Sequence, residues 1–137
     1  MLTAGNVNDS TVFEAVLDTI RVPRTGHGRP RTRPDRVLAD KAYSSRAIRA
    51  WCRRRRIAAS IPEGADQVAN RLRRGSRGGR PPGFDKQAYK GRNVVERCFN
   101  RLKQFRAVAT RFDKLATRYR AGLHLASLIL WLREPAT

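Results

Sequence analysis

The chain has 137 residues, enough for one domain or a piece of one. Its 30 Lys and Arg against 11 Asp and Glu give a formal charge of +19, and self-repulsion of that size calls for a polyanionic partner. Nucleic acid fits, because each neutralised phosphate releases counterions, whereas a membrane surface does not: there is no long apolar run, signal peptide or basic amphipathic N-terminus. Cys52 and Cys98 make no metal-ligand spacing with His27 or His124, which argues against zinc. Both read as small, reduced apolar residues of a cytoplasmic protein.

Taken in chain order, Met1-Leu-Thr-Ala resembles the end of a strand rather than a natural start. Asn8, Asp9 and Ser10 offer cap oxygens to a helix of about ten residues. Val12, Val16, Leu17 and Ile20 would form its apolar face, and Pro23 its stop. A basic, Gly- and Pro-rich loop then covers 24–34. Arg36 to Asp40 reads as a short buried strand ending on an acid. Ser44 and Ser45 can cap a helix that carries Ile48 and Trp51 and closes on Arg53 to Arg56. Ile57 to Ile61 reads as a second short strand, stopped by Pro62. From 63 to 85 the composition turns basic and glycine-rich, which predicts a mobile loop.

Two long helices are expected next, from about Lys86 to Val108 and from about Leu115 to Arg133. Leu115, Tyr119, Leu123, Ala126 and Leu130 would be the core face of the second. The order of elements predicts an α/β architecture with a parallel strand pair. Two short strands do not make a self-sufficient parallel sheet, so further strands are expected in the complete fold.

The first long helix carries the most informative spacing. Tyr89, Arg92, Glu96 and Lys103 stand three, seven and fourteen residues from the first. On a continuous helix they fall within about a 60° arc. Val95, Cys98, Phe99, Leu102 and Phe105 would face a sheet beside them. Spacing alone leaves two readings: a solvated face with Arg92 and Glu96 as an i,i+4 pair, or an edge that holds a metal ion and phosphates together. Asp40 taken alone reads as a turn residue after a strand.

Tyr89, Arg92, Glu96 and Lys103 match the Y-R-E-K signature at every spacing, and YKGRNVVERCFNRLKQFRAVATRFDK resembles the signature helix of bacterial insertion-sequence transposases of the DDE family. RVLADKAYSS is similar to that family's second-aspartate strand. The likeness runs from about Leu2 to Trp131 and implies a ribonuclease H-like, retroviral integrase-like fold, here partial and without the first strands of the sheet. By resemblance, 1–137 is the C-terminal part of a transposase catalytic domain, with 24–34 and 63–85 as basic loops.

The same resemblance implies the chemistry. Asp40 and Glu96 would be catalytic metal ligands for a two-metal site holding Mg2+ (or Mn2+), where hard carboxylate oxygens keep the ions about 3.5–4 Å apart. Tyr89, Arg92 and Lys103 would bind DNA, Arg bidentately and Lys as a point charge. The partners implied are transposon ends and target DNA, together with a homo-oligomer or a complementing N-terminal transposase segment, in a cytoplasmic, nucleoid-associated setting. Relatives carry a first aspartate on an upstream strand, so the isolated chain is expected to be inactive and unstable; Asp9 is not assigned as its substitute. The alternative function is a non-catalytic DNA-binding module or transposition inhibitor. A ribosomal or nucleoid basic protein would explain the charge but not the spacing.

Overall fold

The computed structural model describes residue 2 and residues 7–133. The strand end expected at Met1-Leu-Thr-Ala lies almost wholly outside them. The chain divides into two compact units, one running to Gly91 and the other from Arg92.

The first unit is a β-α-β core with helices around it. Asn8 begins it by accepting the Ser10 N–H at Oδ1, 3.0 Å away, which caps a 3-10 turn (Asp9–Val12) leading into α1 (Phe13–Asp18). The expected length is right, but α1 stops at Asp18 and not at Pro23. Beyond it the backbone pairs Val22 with Arg31 in an isolated antiparallel bridge, which gives the basic loop a closed base. The expected apolar face also differs: Phe13 is buried and Leu17 packs on the core, while Val16 is exposed.

Strands β1 (Arg36–Leu38) and β2 (Ala58–Ser60) pair in parallel, with Val37 opposite Ala59. Between them α2 (Arg46–Arg54) starts where Ser45 Oγ accepts the Ile48 N–H at 3.1 Å. Its Ile48, Trp51 and Cys52 recur at helical spacing and are buried with Phe13, Ile57 and Ile61. Phe13 meets Trp51 edge-on, with centroids 5.7 Å apart, and Tyr43 at 5.8 Å. Each large apolar side chain so buried stabilises by about 1.5–3 kcal/mol before the entropy cost.

The end of α2 is a Schellman turn: Ile57 N–H reaches Cys52 O at 2.9 Å and Arg56 N–H reaches Arg53 O at 3.0 Å. Arg56 occupies the left-handed position, φ 55°, where glycine is the usual residue. A second turn of the same pattern ends the short helix near residue 109, with Arg111 at φ 49°.

The segment 63–85 is not one loop. Helix α3 (Ala65–Arg73) occupies its first half, and a 3-10 turn (Gly75–Gly78) follows. ADQVANRLR holds good helix formers, Asp66 stands in the first turn, and Arg71 pairs with Glu63, each side chain about one-fifth exposed. The glycines and prolines after Arg74 dominated the composition and hid it. Helix α4 (Lys86–Lys90) closes the unit, capped by Asp85 Oδ1 accepting the Ala88 N–H at 2.9 Å.

The second unit contains α5 (Asn93–Lys103), α6 (Arg106–Ala109) and α7 (Ala116–Arg133). The single helix expected from Lys86 to Val108 is therefore three. Gly91 and Arg92 keep right-handed dihedrals, but Gly91 N–H turns back to Ala88 O at 3.0 Å and Val95 N–H to Arg92 O at 2.9 Å, a tighter pattern that interrupts the ladder. Phe105, with ψ 102°, is extended and ends α5's run.

Helix α7 matches its expectation in length. Of its expected core face, Ala126 is buried, Tyr119, Leu123 and Leu130 are half-buried, and Leu115 is exposed. Tyr119 O–H donates to Val108 O at 3.2 Å, joining α7 to α6. His124 is exposed. So are Val95 and Phe99, on the α5 face expected to meet a sheet. Among the described residues, no helix is long and apolar enough to cross a membrane.

Candidate functional site

The turn that follows β1 is built around Asp40. The residue sits two positions past the strand in extended backbone, and its Oδ1 accepts the Ala42 N–H at 2.9 Å, capping the 3-10 turn Lys41–Tyr43. The turn reading of Asp40 is thus correct as local structure. Its carboxylate remains exposed, with Oδ2 outside the cap. Tyr43 stands beside it: burial first, then the carboxylates of Asp9 and Asp40, push its phenol above the ordinary value.

Tyr89 lies on α4, half-buried, with its ring 5.0 Å from that of Phe84. Two contacts fix this helix against the strands. Asp85 pairs with Arg36 at the start of β1, and the same Arg36 Nη1 donates to Ser60 Oγ of β2 at 3.3 Å. At the other end Gly91 comes close to Leu38: a Cβ there would lie 3.8 Å from Leu38 Cδ1 and 3.1 Å from Ala88 O. The work of Asp85 is anchoring. An acid directly before a helical run is an N-cap signal that was present to be read.

Arg92, Glu96 and Lys103 belong to the second unit. Arg92 Nη2 donates to Glu96 Oε1 at 2.6 Å, the i,i+4 pair of one of the two readings that spacing left open. Glu96 and Lys103 stand seven residues apart on α5, on one face and exposed. Tyr89 stands on α4 and Glu96 and Lys103 on α5, with the helical ladder interrupted between the two helices.

Several arginines of the first unit are engaged by its own residues. Arg55 pairs with Asp18 at 2.6 Å and lies 4.4 Å over the Trp51 ring. Arg71 is tied to Glu63, and Arg33 donates to Arg55 O at 2.9 Å. Arg53, Arg54 and Arg56 are exposed.

The donor chemistry suits a hard divalent cation. Asp40 uses Oδ1 for its cap and Glu96 uses Oε1 for Arg92, so each keeps a second carboxylate oxygen of the kind Mg2+ takes. Among the described residues no three of His, Cys, Asp and Glu gather into a metal-binding group. Cys52 is buried, which pushes its thiol up, whereas Cys98, expected on a helix face that meets a sheet, is exposed.

Comparison with known proteins gives a consistent picture. Residues 1–132 match the family described as the transposase DDE domain. The chain is 34% identical over 97 residues to a protein of Brucella ovis named as a transposase for insertion sequence element IS6501, covering 71% of this chain and 67% of that one. It is 35% identical over 132 residues to a Burkholderia cepacia protein named as a transposase for insertion sequence element IS402, covering 96% of this chain and 55% of that one. No solved structure matches. A family match over nearly the whole chain, with the Y-R-E-K residues inside it, places this protein in the DDE transposase family of insertion sequences.

Proposed function

We propose that this chain is the C-terminal part of a transposase catalytic domain with a partial ribonuclease H-like fold, and that in the complete enzyme it takes part in Mg2+-dependent cleavage and transfer of DNA strands at insertion-sequence ends. The observation that carries the reading is the full Y-R-E-K spacing of Tyr89, Arg92, Glu96 and Lys103 in a chain of this family. Asp40 and Glu96 supply carboxylates to the divalent metal, which when bound activates the attacking oxygen and stabilises the leaving one. Arg92 holds the Glu96 carboxylate and, with Lys103, grips phosphate oxygens beside the reacting end. Tyr89 contacts the end strand through its ring or hydroxyl.

Two features support a piece of a larger fold. Among the described residues the parallel sheet has two three-residue strands, which is too few to stand alone. In the second unit Val94, Val95, Phe99, Leu125, Trp131 and Leu132 are exposed, an apolar surface of the kind that packs on a partner layer. The chain spans about half to two-thirds of the length of the relatives it matches. We therefore expect the 137-residue chain to bind DNA but not to cleave it, since among the described residues no three of His, Cys, Asp and Glu gather into a metal-binding group. In the cell it would meet DNA at the nucleoid, and a homo-oligomer or an N-terminal transposase segment would complete it.

Cleavage of transposon-end DNA by the purified chain in Mg2+ is the test. No product, with cleavage restored when the reading frame upstream is joined to it, is the expected result; cleavage by the chain alone refutes the division of labour. The second reading, a DNA-binding module or inhibitor of transposition, draws on the charge of +19. It predicts that Glu96→Gln changes nothing beyond DNA affinity.

A further inference from the structure

We infer that Gln67 is a positioning residue for Asp40, acting through a polar clamp on the turn that presents the carboxylate; the inference rests on Asp40 being a metal ligand as proposed above. The turn has two ends. At one, Asp40 caps it through Oδ1, with Tyr43 N–H also donating to Asp40 O at 3.2 Å. At the other, Ser44 closes it, its N–H donating to Lys41 O at 3.0 Å.

Ser44 is buried, and its two oxygens are taken up by Gln67 and Arg49. Gln67 Nε2 donates to Ser44 O at 2.5 Å, and Ser44 Oγ donates back to Gln67 Oε1 at 2.7 Å. Arg49 Nη2 donates both to Ser44 Oγ at 3.1 Å and to Ile61 O at 2.7 Å, which ties the clamp to the end of β2. Gly64 N–H donates to Gln67 Oε1 at 3.4 Å, the third hydrogen bond of the amide. The side-chain amide is uniquely suited here, because it must donate to a carbonyl and accept from a hydroxyl at once. With Ser44 held from α3, α2 and β2 together, the three-residue turn has little freedom, and neither has the carboxylate at its start.

Mg2+ demands near-ideal ligand geometry, so a few tenths of an ångström at Asp40 matter more to metal use than to folding. The test is Gln67→Met, close in volume but without polar atoms. Amide exchange on the full chain, followed by NMR, should show Ala42 exchanging at least about tenfold faster, since its acceptor is Asp40 Oδ1. The Cys52 amide, inside α2, should stay within about twofold and report an intact core. In the completed transposase the same substitution should raise the Mg2+ concentration for half-maximal cleavage about tenfold, with end-DNA affinity unchanged. Unchanged Ala42 exchange overturns the inference, and so does faster exchange with an unaltered Mg2+ requirement. If Gln67→Met opens the core at Cys52, Ser44→Ala decides the matter, because it removes one hydroxyl and leaves the amide-to-carbonyl bond; unaltered Ala42 exchange there is equally fatal. Asp40→Asn, run in parallel, separates the two readings: full activity in that variant sinks Asp40 as a ligand, while the exchange result still decides the clamp.

Discussion

The Schellman turn after α2 gives a prediction of unexpected sign: removing an arginine from this basic surface should stabilise the first unit. Arg56 holds φ 55°, where an L-residue pays about 1–2 kcal/mol that glycine does not. Glycine returns part of that gain through its freer unfolded chain, about 0.5–1 kcal/mol, so Arg56→Gly should net about 0.5–1 kcal/mol of stability. The effect can be read at a neighbouring thiol. Cys52 accepts the Ile57 N–H that defines the turn, and its side chain is only 1% exposed, so labelling requires opening of the unit. In a Cys98→Ser background, labelling of Cys52 by a neutral alkylating reagent should slow about two- to fivefold in Arg56→Gly. Arg56→Ala, which loses the charge but keeps a Cβ at positive φ, should label within about twofold of the parent. Faster labelling in Arg56→Gly, or an equal slowing in Arg56→Ala, would refute the argument from backbone strain.

Two other perturbations follow from single contacts. Arg71→Met leaves Glu63 about one-fifth exposed without its ion pair. It should speed Cys52 labelling by about tenfold, and Glu63→Gln added to it should recover most of the loss. Asp85 is held below the ordinary carboxylate range, first by the Ala88 N–H and then by Arg36. Its folded-state value being depressed, the stability it lends to α4 is present above the unfolded value and lost as the pH falls through the folded one. Ala88 amide protection should therefore drop in acid below the ordinary carboxylate range, and in Asp85→Asn that acid step should vanish.

The sheet and the helix between its strands were legible because their signals are local and agree. Val37 and Leu38, then Ile57 to Ile61, are short apolar runs, and Ser45 precedes an i, i+3, i+4 pattern. Helix α3 was not legible, because its nine residues stand beside a Gly-Arg-Pro tract whose composition outweighed them. Phe13 was missed for a different reason: its partners Trp51 and Tyr43 are distant in sequence. The break after Lys90 was signalled by Gly91, yet the perfect heptad-like spacing across it favoured a continuous helix. Candidate residues were legible as a spacing that resembles a family signature. The contacts behind them, Gln67 on Ser44 and Arg36 on Asp85, are tertiary and no local pattern announces them, although the cap made by Asp85 is itself a local signal.

The central claim is that Glu96, with Asp40, holds the metal for strand cleavage, and the most direct measurement is metal-dependent cleavage by the completed transposase carrying Glu96→Gln. Loss of a metal carboxylate should lower Mg2+-dependent cleavage of transposon-end DNA by about a hundredfold or more, with end binding unchanged or slightly tighter. Cleavage within a few-fold of the unsubstituted enzyme would contradict the account and leave Glu96 as the surface partner of Arg92 alone.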